Sequence, residues 1–236
     1  MGKRKLETTE AWSKALGFTD LAIRVQGPGG IPMVVYPGDT GSEYIRVFTF
    51  TLMGALDDEA ERGLWTAPGG EPRGWREVAR VEVVRFMGGM ALNDDVDLCD
   101  EADALGSDLS WAAGLFYGAD GLMEAFGKLD MLLFQSVWVD PAFRGKGVAE
   151  HLWKRAVSYQ DDSSLACALV FPEPGAFFRG GRGASDPLAG VDHGEAGKAK
   201  LRKMLEGWGF GAIPVPGPNS SALWLILDDG FGGHRG

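Results

Sequence analysis

Apolar and polar positions alternate most clearly in two places. Tyr44 to Met53 (YIRVFTFTLM) mixes β-branched and aromatic residues with polar ones at period two, the signature of a half-buried strand. Arg76 to Met87 (REVARVEVVRFM) alternates too, but Val78, Val81, Val83 and Phe86 fall on offset faces, which predicts a bulge or twist within that strand. Asp20 to Val25 and Ile31 to Tyr36 read as strands around the Gly27–Gly30 turn, in a hairpin-like arrangement. Met131 to Val139 and Ser164 to Phe171 are continuous apolar runs of strand length, as buried strands require, and Ser221 to Leu227 reads as a last strand.

Helical spacing occupies the intervals. Residues 8–17 form a short helix by pattern, capped by Thr8 or Thr9 and ended by Gly17. From Asn93 to Phe126, Leu98, Ala102, Leu105, Leu109, Ala112, Leu115 and Phe116 recur three or four apart, with Gly106 and Gly118–Gly121 dividing the stretch into two or three helices. Val148 to Tyr159 carries an apolar stripe of Val148, Leu152, Ala156 and Tyr159, and Lys198 to Gly207 is a further helix. The order of elements predicts one α/β domain over 1–230, with insertions near 54–75, 93–127 and 172–197 and a polar tail at 231–236.

Composition narrows the classes. Glycine, 36 of 236 residues, stands at roughly twice the usual share of ~7% and clusters in segments that read as surface loops. The formal charge of −10 and the scattered basic residues disfavour nucleic acid as main partner, since binding to phosphates rests on Lys and Arg. The N-terminal MGKRKLETTEAW has no apolar stretch behind its basic residues, so no secretory signal is read there. The apolar run 131–139 is far short of the ~20 residues of a membrane-spanning helix. Cys99 and Cys167 are too few for a disulfide framework or a zinc site, so no metal is expected and a cytoplasmic protein with reduced thiols is.

The chemistry concentrates in MLLFQSVWVDPAFRGKGVAEHLWKRAV, residues 131–157. A buried strand runs into Asp140-Pro141, where proline ends the ladder, and then through Arg144-Gly145-Lys146-Gly147 directly into a helix. Glycines let backbone N–H groups close on an anion, and a helix N-terminus adds free donors and the positive end of its dipole. Strand, turn and helix thus make a site for phosphate or diphosphate. Spacing excludes a Walker loop, and the third glycine of a dinucleotide fingerprint is missing.

Arg144-Gly145-Lys146-Gly147-Val148-Ala149 resembles the Arg/Gln-x-x-Gly-x-Gly/Ala signature of the GNAT superfamily of acyl-CoA-dependent N-acetyltransferases, and Val139-Asp140-Pro141 its Val-x-Pro approach. Leu205-Glu206-Gly207-Trp208-Gly209-Phe210 is similar to the end of that family's following helix. The resemblance implies a mixed, mostly antiparallel α/β sheet flanked by helices, with a V-shaped split between strands 131–139 and 164–171. It implies acetyl-CoA as cosubstrate. The main chain of Val137, Trp138 and Val139 would hold the pantetheine arm, with an N–H near Val137 polarising the thioester carbonyl, and the amides of Arg144, Gly145, Lys146, Gly147, Val148 and Ala149 would hold the diphosphate.

The implied reaction is transfer of an acetyl group to a primary amine of a small molecule or protein, and the acidic surface favours a cationic acceptor. An amine of pKa ~10.4 must lose a proton before it attacks, so a base is needed. Glu173 and His193 are the first candidates; Asp130, Glu77 and Glu82 follow unranked, and Gln135 and Ser136 are suited only to orienting water. Where many of the family place a tyrosine acid, this chain has Leu205. Trp138, Trp208 and Phe210 read as core residues. The rival expectation is a catalytically silent acyl-CoA-binding or protein-interaction module of the same fold.

Overall fold

The computed structural model describes residues 16–18, 21–26, 42–55, 75–118, 129–160, 164–173, 192, 194–213 and 222–227. These build a seven-stranded sheet ordered β1-β2-β3-β4-β5-β7-β6. The strands are β1 (Leu21–Gln26), β2 (Ile45–Ala55), β3 (Trp75–Phe86), β4 (Asp130–Val139), β5 (Leu165–Val170), β6 (Gly211–Ala212) and β7 (Leu223–Ile226). Neighbours are antiparallel except β4 and β5, which run parallel. A parallel pair needs a crossover, and α4 (Val148–Gln160) supplies it. Between β3 and β4 the chain forms α1 (Gly88–Asn93), α2 (Leu98–Leu105) and α3 (Ser107–Tyr117); α5 (Glu195–Gly207) follows β5.

Helices cover both faces. On one, Leu152, Trp153 and Ala156 of α4 and Leu201 and Leu205 of α5 pack with Phe50, Val81 and Phe134. Trp153 stacks on Phe134 with ring centroids 4.5 Å apart. On the other, Ala91, Leu98, Ala102, Ala112 and Phe116 of α1–α3 pack with Ile45, Phe86, Met131 and Leu133. β5, between these layers, is buried at every position, which explains its unbroken apolar sequence. Cys167 in this strand is a free thiol pushed up to about 12 by burial, and it serves as a small apolar residue.

The mixed, mostly antiparallel sheet implied by the resemblance is present, and so is the bulge expected in β3. Leu52 pairs with Ala79 and Met53 with Glu77, leaving Val78 as the extra residue. Its carbonyl accepts a 2.9 Å hydrogen bond from the Asp140 N–H, which ties the bulge to the end of β4. Gly106, at φ +152, separates α2 from α3 as expected. The helical region starts at Gly88 rather than Asn93, and α5 starts at Glu195 rather than Lys198. On α4 the buried stripe is Val148, Leu152, Trp153, Ala156, Val157 and Gln160; Tyr159 is 62% exposed, with its ring edge on Phe50. Of the expected helix 8–17 only its end is described, where Leu16 is helical and buried; the strand at 31–36 and most of the loops at 54–75 and 172–197 lie outside the described residues. Among the described residues no helix is long and apolar enough to cross a membrane, and no cluster of metal-ligating side chains occurs.

Candidate functional site

β4 and β5 are hydrogen-bonded neighbours only along the first half of β4, from Asp130 opposite Leu165 to Phe134 opposite Val170. Beyond that point they part, for two local reasons. Gln135 is an extra residue in the β3–β4 register, between Phe134 opposite Val83 and Ser136 opposite Glu82, and such a bulge sharpens the local twist. β5 stops at Val170, and Pro172 has no N–H with which to continue a ladder. The main chain of Gln135 to Val139, about 16 Å of extended backbone, therefore has no described strand on its β5 side, although the Val139 carbonyl accepts a 3.1 Å hydrogen bond from Arg144 Nε. This is the split expected between 131–139 and 164–171.

The end of β4 leads straight into the glycine loop. Asp140 caps a 3-10 turn over Pro141–Phe143, its carboxylate accepting from the Ala142 N–H at 2.9 Å and pairing with Arg76 at 2.6 Å. Gly145 and Gly147 then take φ +75 and +77, left-handed values that favour glycine, and they turn the chain back into α4. The first helical bond runs from the His151 N–H to the Gly147 carbonyl. The N–H groups of the preceding residues thus have no partner within the helix, and none of residues 145–149 donates a main-chain bond elsewhere among the described residues. Unpartnered donors thus lie at the positive end of the helix dipole.

Strand and loop open on one cleft of about 520 Å³, closed on its far side by α5. Val137, Trp138, Val139, Arg144, Gly145, Gly147, Val148 and Ala149 all line it, so the structure brings together eight of the nine residues expected to bind cofactor. Lys146 is the exception: its ammonium lies 5.2 Å above the Phe143 ring, outside the lining. From α5 come Lys200, Leu201, Met204 and Trp208, which sequence reasoning did not assign to the site. The basic stretch 198–203 was the available signal for Lys200. Trp208 joins the wall while packing 6.1 Å from Phe134, and Trp138 also lines the cleft, so these two are not simply core residues; Phe210 is. Unpartnered amides, a helix N-terminus and the cations Arg144 and Lys200 suit a diphosphate, while two carboxylates share the lining, Glu150, paired with Lys154, and Asp192, which accepts from the Gly194 N–H.

No family model matches the chain, and no curated protein matches it. Among solved structures it aligns with a chain of "The crystal structure of KacTA-DNA complex", over 87% of this chain and 93% of that one, at 9% identity and a TM-score of 0.35. A likeness at that level carries no argument, and the reading rests on the geometry.

The structure ranks the carboxylates. Asp130 sits at the closed end of the split, buried against Arg85 at 2.7 Å and accepting also from Ser164 Oγ and the Gly89 N–H. It is a structural anchor, about 20 Å along β4 from Ser136. Glu77 pairs with Arg80 at 2.7 Å. Glu82 accepts a 2.7 Å hydrogen bond from Ser136 Oγ, the hydroxyl directly after the bulge where the strands part. Glu173, just beyond β5, is 47% exposed and held by Lys198 at 3.2 Å; neither it nor Glu82 belongs to the lining of the cleft. That ion pair raises the affinity of Lys198 for its proton, through the hydrogen bond first and the charge second. His193 lies outside the described residues. Leu205 is fully buried in the core beneath α5 and does not reach the cleft.

Proposed function

We propose that this chain is an N-acetyltransferase of GNAT type that moves an acetyl group from acetyl-CoA to a primary amine in the cytoplasm. The observation that carries the proposal is the meeting, in one cleft, of strand backbone left open by the parting of β4 and β5 with the free amides of a left-handed glycine loop at a helix N-terminus.

In this reading the amides of residues 145–149, with the side chains of Arg144 and Lys200, hold the diphosphate. The main chain of Val137, Trp138 and Val139 binds the pantetheine arm as an added strand would be bound. Bound acetyl-CoA supplies an acyl group activated as a thioester. An N–H near Val137 polarises its carbonyl oxygen. Glu82, oriented by Ser136, takes the proton from the acceptor nitrogen, a role for which Glu173, already bound to Lys198, is less well placed. With Leu205 buried, no side chain at that position meets the sulfur, and the thiolate, whose conjugate acid has a pKa of ~8.5, takes its proton from water.

The buried Leu205 also favours a second reading, a module that binds acyl-CoA without turnover. Thiol release from acetyl-CoA, measured over a panel of amines beside a CoA titration, separates the two. The transferase reading predicts binding and release with at least one amine. Binding with no release across the panel points to the silent module, and absence of binding removes both.

A further inference from the structure

The sheet face that carries α1–α3 changes character along its length. Near the closed end of the split it is apolar, with Ile45, Val84, Phe86, Met131 and Leu133 beneath those helices. Beyond them two polar rows cross β2, β3 and β4. Thr49, Glu82 and Ser136 are register partners in one row, and Thr51, Arg80 and Trp138 in the next. Directly opposed residues of antiparallel strands share a face, so both rows look out on one side, and Ser136 and Trp138 belong to the part of β4 that β5 has left.

The two rows differ in what they lack. In the first, Glu82 and Ser136 satisfy each other at 2.7 Å. In the second, Arg80 Nε and Trp138 Nε1 are shielded from water and find no acceptor among the described residues; the same holds for Trp153 Nε1 and Gln160 Nε2 in the core, but only the first two sit on directly opposed residues of neighbouring strands. Arg80 uses only Nη2 on Glu77, and the side chain keeps 19% of its surface exposed. Trp138 lines the cleft. Buried donors are nearly always partnered, so two on adjacent cross-strand neighbours mark a place for an acceptor that arrives with a ligand. A carboxylate suits it, because a guanidinium edge and an indole N–H are both donors without acceptor capacity.

We propose that the acceptor amine carries a carboxylate a few bonds from its nitrogen, bound by Arg80 Nε and Trp138 Nε1 while the nitrogen faces Glu82. This rests on the transferase reading and names the substrate class of the same site: amino acids and their homologues. The two anchors lie two residues apart on β3, about 7 Å, so a zwitterion with its charges apart bridges them. Such an acceptor has no net charge, so the acidic surface does not repel it.

The test compares α-, β- and γ-amino acids, each with its own amide, in two measurements. Thiol release gives kcat/KM for each pair. Ligand-observed NMR gives binding of the N-acetylated forms, which needs no turnover. At least one acid should exceed its amide by about tenfold or more in both. Arg80→Gln and the milder Trp138→Phe should each reduce that ratio through KM and through product binding, and Arg80→Gln, outside the lining of the CoA cleft, should leave the Kd for CoA unchanged. Arg80→Lys keeps the charge but loses the Nε donor, so it should reduce the ratio as well. If amides serve as well as acids, or the ratio survives all three variants, the proposal falls while the transferase reading stands. If no thiol is released but N-acetyl acids still bind in preference to their amides, the transferase reading falls and the carboxylate site remains.

Discussion

Gly147→Glu is expected to weaken CoA binding by at least about 100-fold, or ~2.8 kcal/mol, while the protein still folds. Two effects act together. The substitution sets a carboxylate beside the amides proposed to receive a diphosphate, replacing attraction by repulsion at close range. It also forces a side chain onto a residue at φ +77, a left-handed conformation that costs a non-glycine residue about 1–2 kcal/mol. A Cβ at this position meets nothing within 4 Å, so no clash with the core follows and a modest fall in melting temperature is the expected stability effect. Gly147→Ala separates the two contributions, because it bears the backbone strain without the charge and should keep most of the affinity. Calorimetric titration of CoA into the three proteins reads both. Equal Kd values for wild type and Gly147→Glu would remove the loop from the site.

Arg85→Ala is expected to destabilise the protein by about 3–5 kcal/mol, a large share of the ~5–15 kcal/mol typical of a domain. Arg85 is buried, donates to Asp130 through Nη2 at 2.7 Å, and bonds the Gln160 carbonyl and Ser164 Oγ as well. It therefore joins β3 and β4 to the end of α4 and the start of β5, at the end of the sheet where the two parallel strands remain together. Its loss strands the Asp130 carboxylate in the interior, and that uncompensated charge is the main cost. Arg85→Met combined with Asp130→Leu removes both charges and should recover most of the loss. Urea unfolding of the three proteins decides it. A single Arg85→Ala variant within about 1 kcal/mol of wild type would show the pair to be incidental.

Strand–turn–helix order and the glycine loop were legible in the sequence because they are local. A buried apolar run, a proline stop, two glycines and an amphipathic helix each follow from neighbouring residues. The parting of β4 from β5 was expected only through resemblance. Its physical causes, the extra residue Gln135 and the end of β5 before Pro172, become visible once the register is known. What the sequence hid is chiefly what register and packing decide. Thr51, Arg80 and Trp138 are far apart in the chain, and nothing in their spacing says that they form one row. Asp130 and Glu82 look alike as carboxylates near strands, but one lies under a guanidinium at the closed end and the other beside a hydroxyl at the open end.

Helix faces were misjudged for a related reason. A narrow stripe read at every fourth residue of α4 picked Tyr159, whereas a helix lying on a sheet buries a wider face, and Trp153 and Val157 belong to it. β6, only two residues long, is too short to leave a pattern.

The central claim is that main-chain donors on both sides of Asp140-Pro141 receive one ligand, CoA. Amide-resolved NMR of the labelled protein during a CoA titration tests it most directly, since the observed nuclei are the donors themselves. The account predicts the largest shifts in two groups, residues 144–149 and residues 135–139, moving together with a single Kd and leaving the Arg85–Asp130 end of the sheet unchanged. Absence of perturbation, or shifts gathered away from both segments, would contradict it.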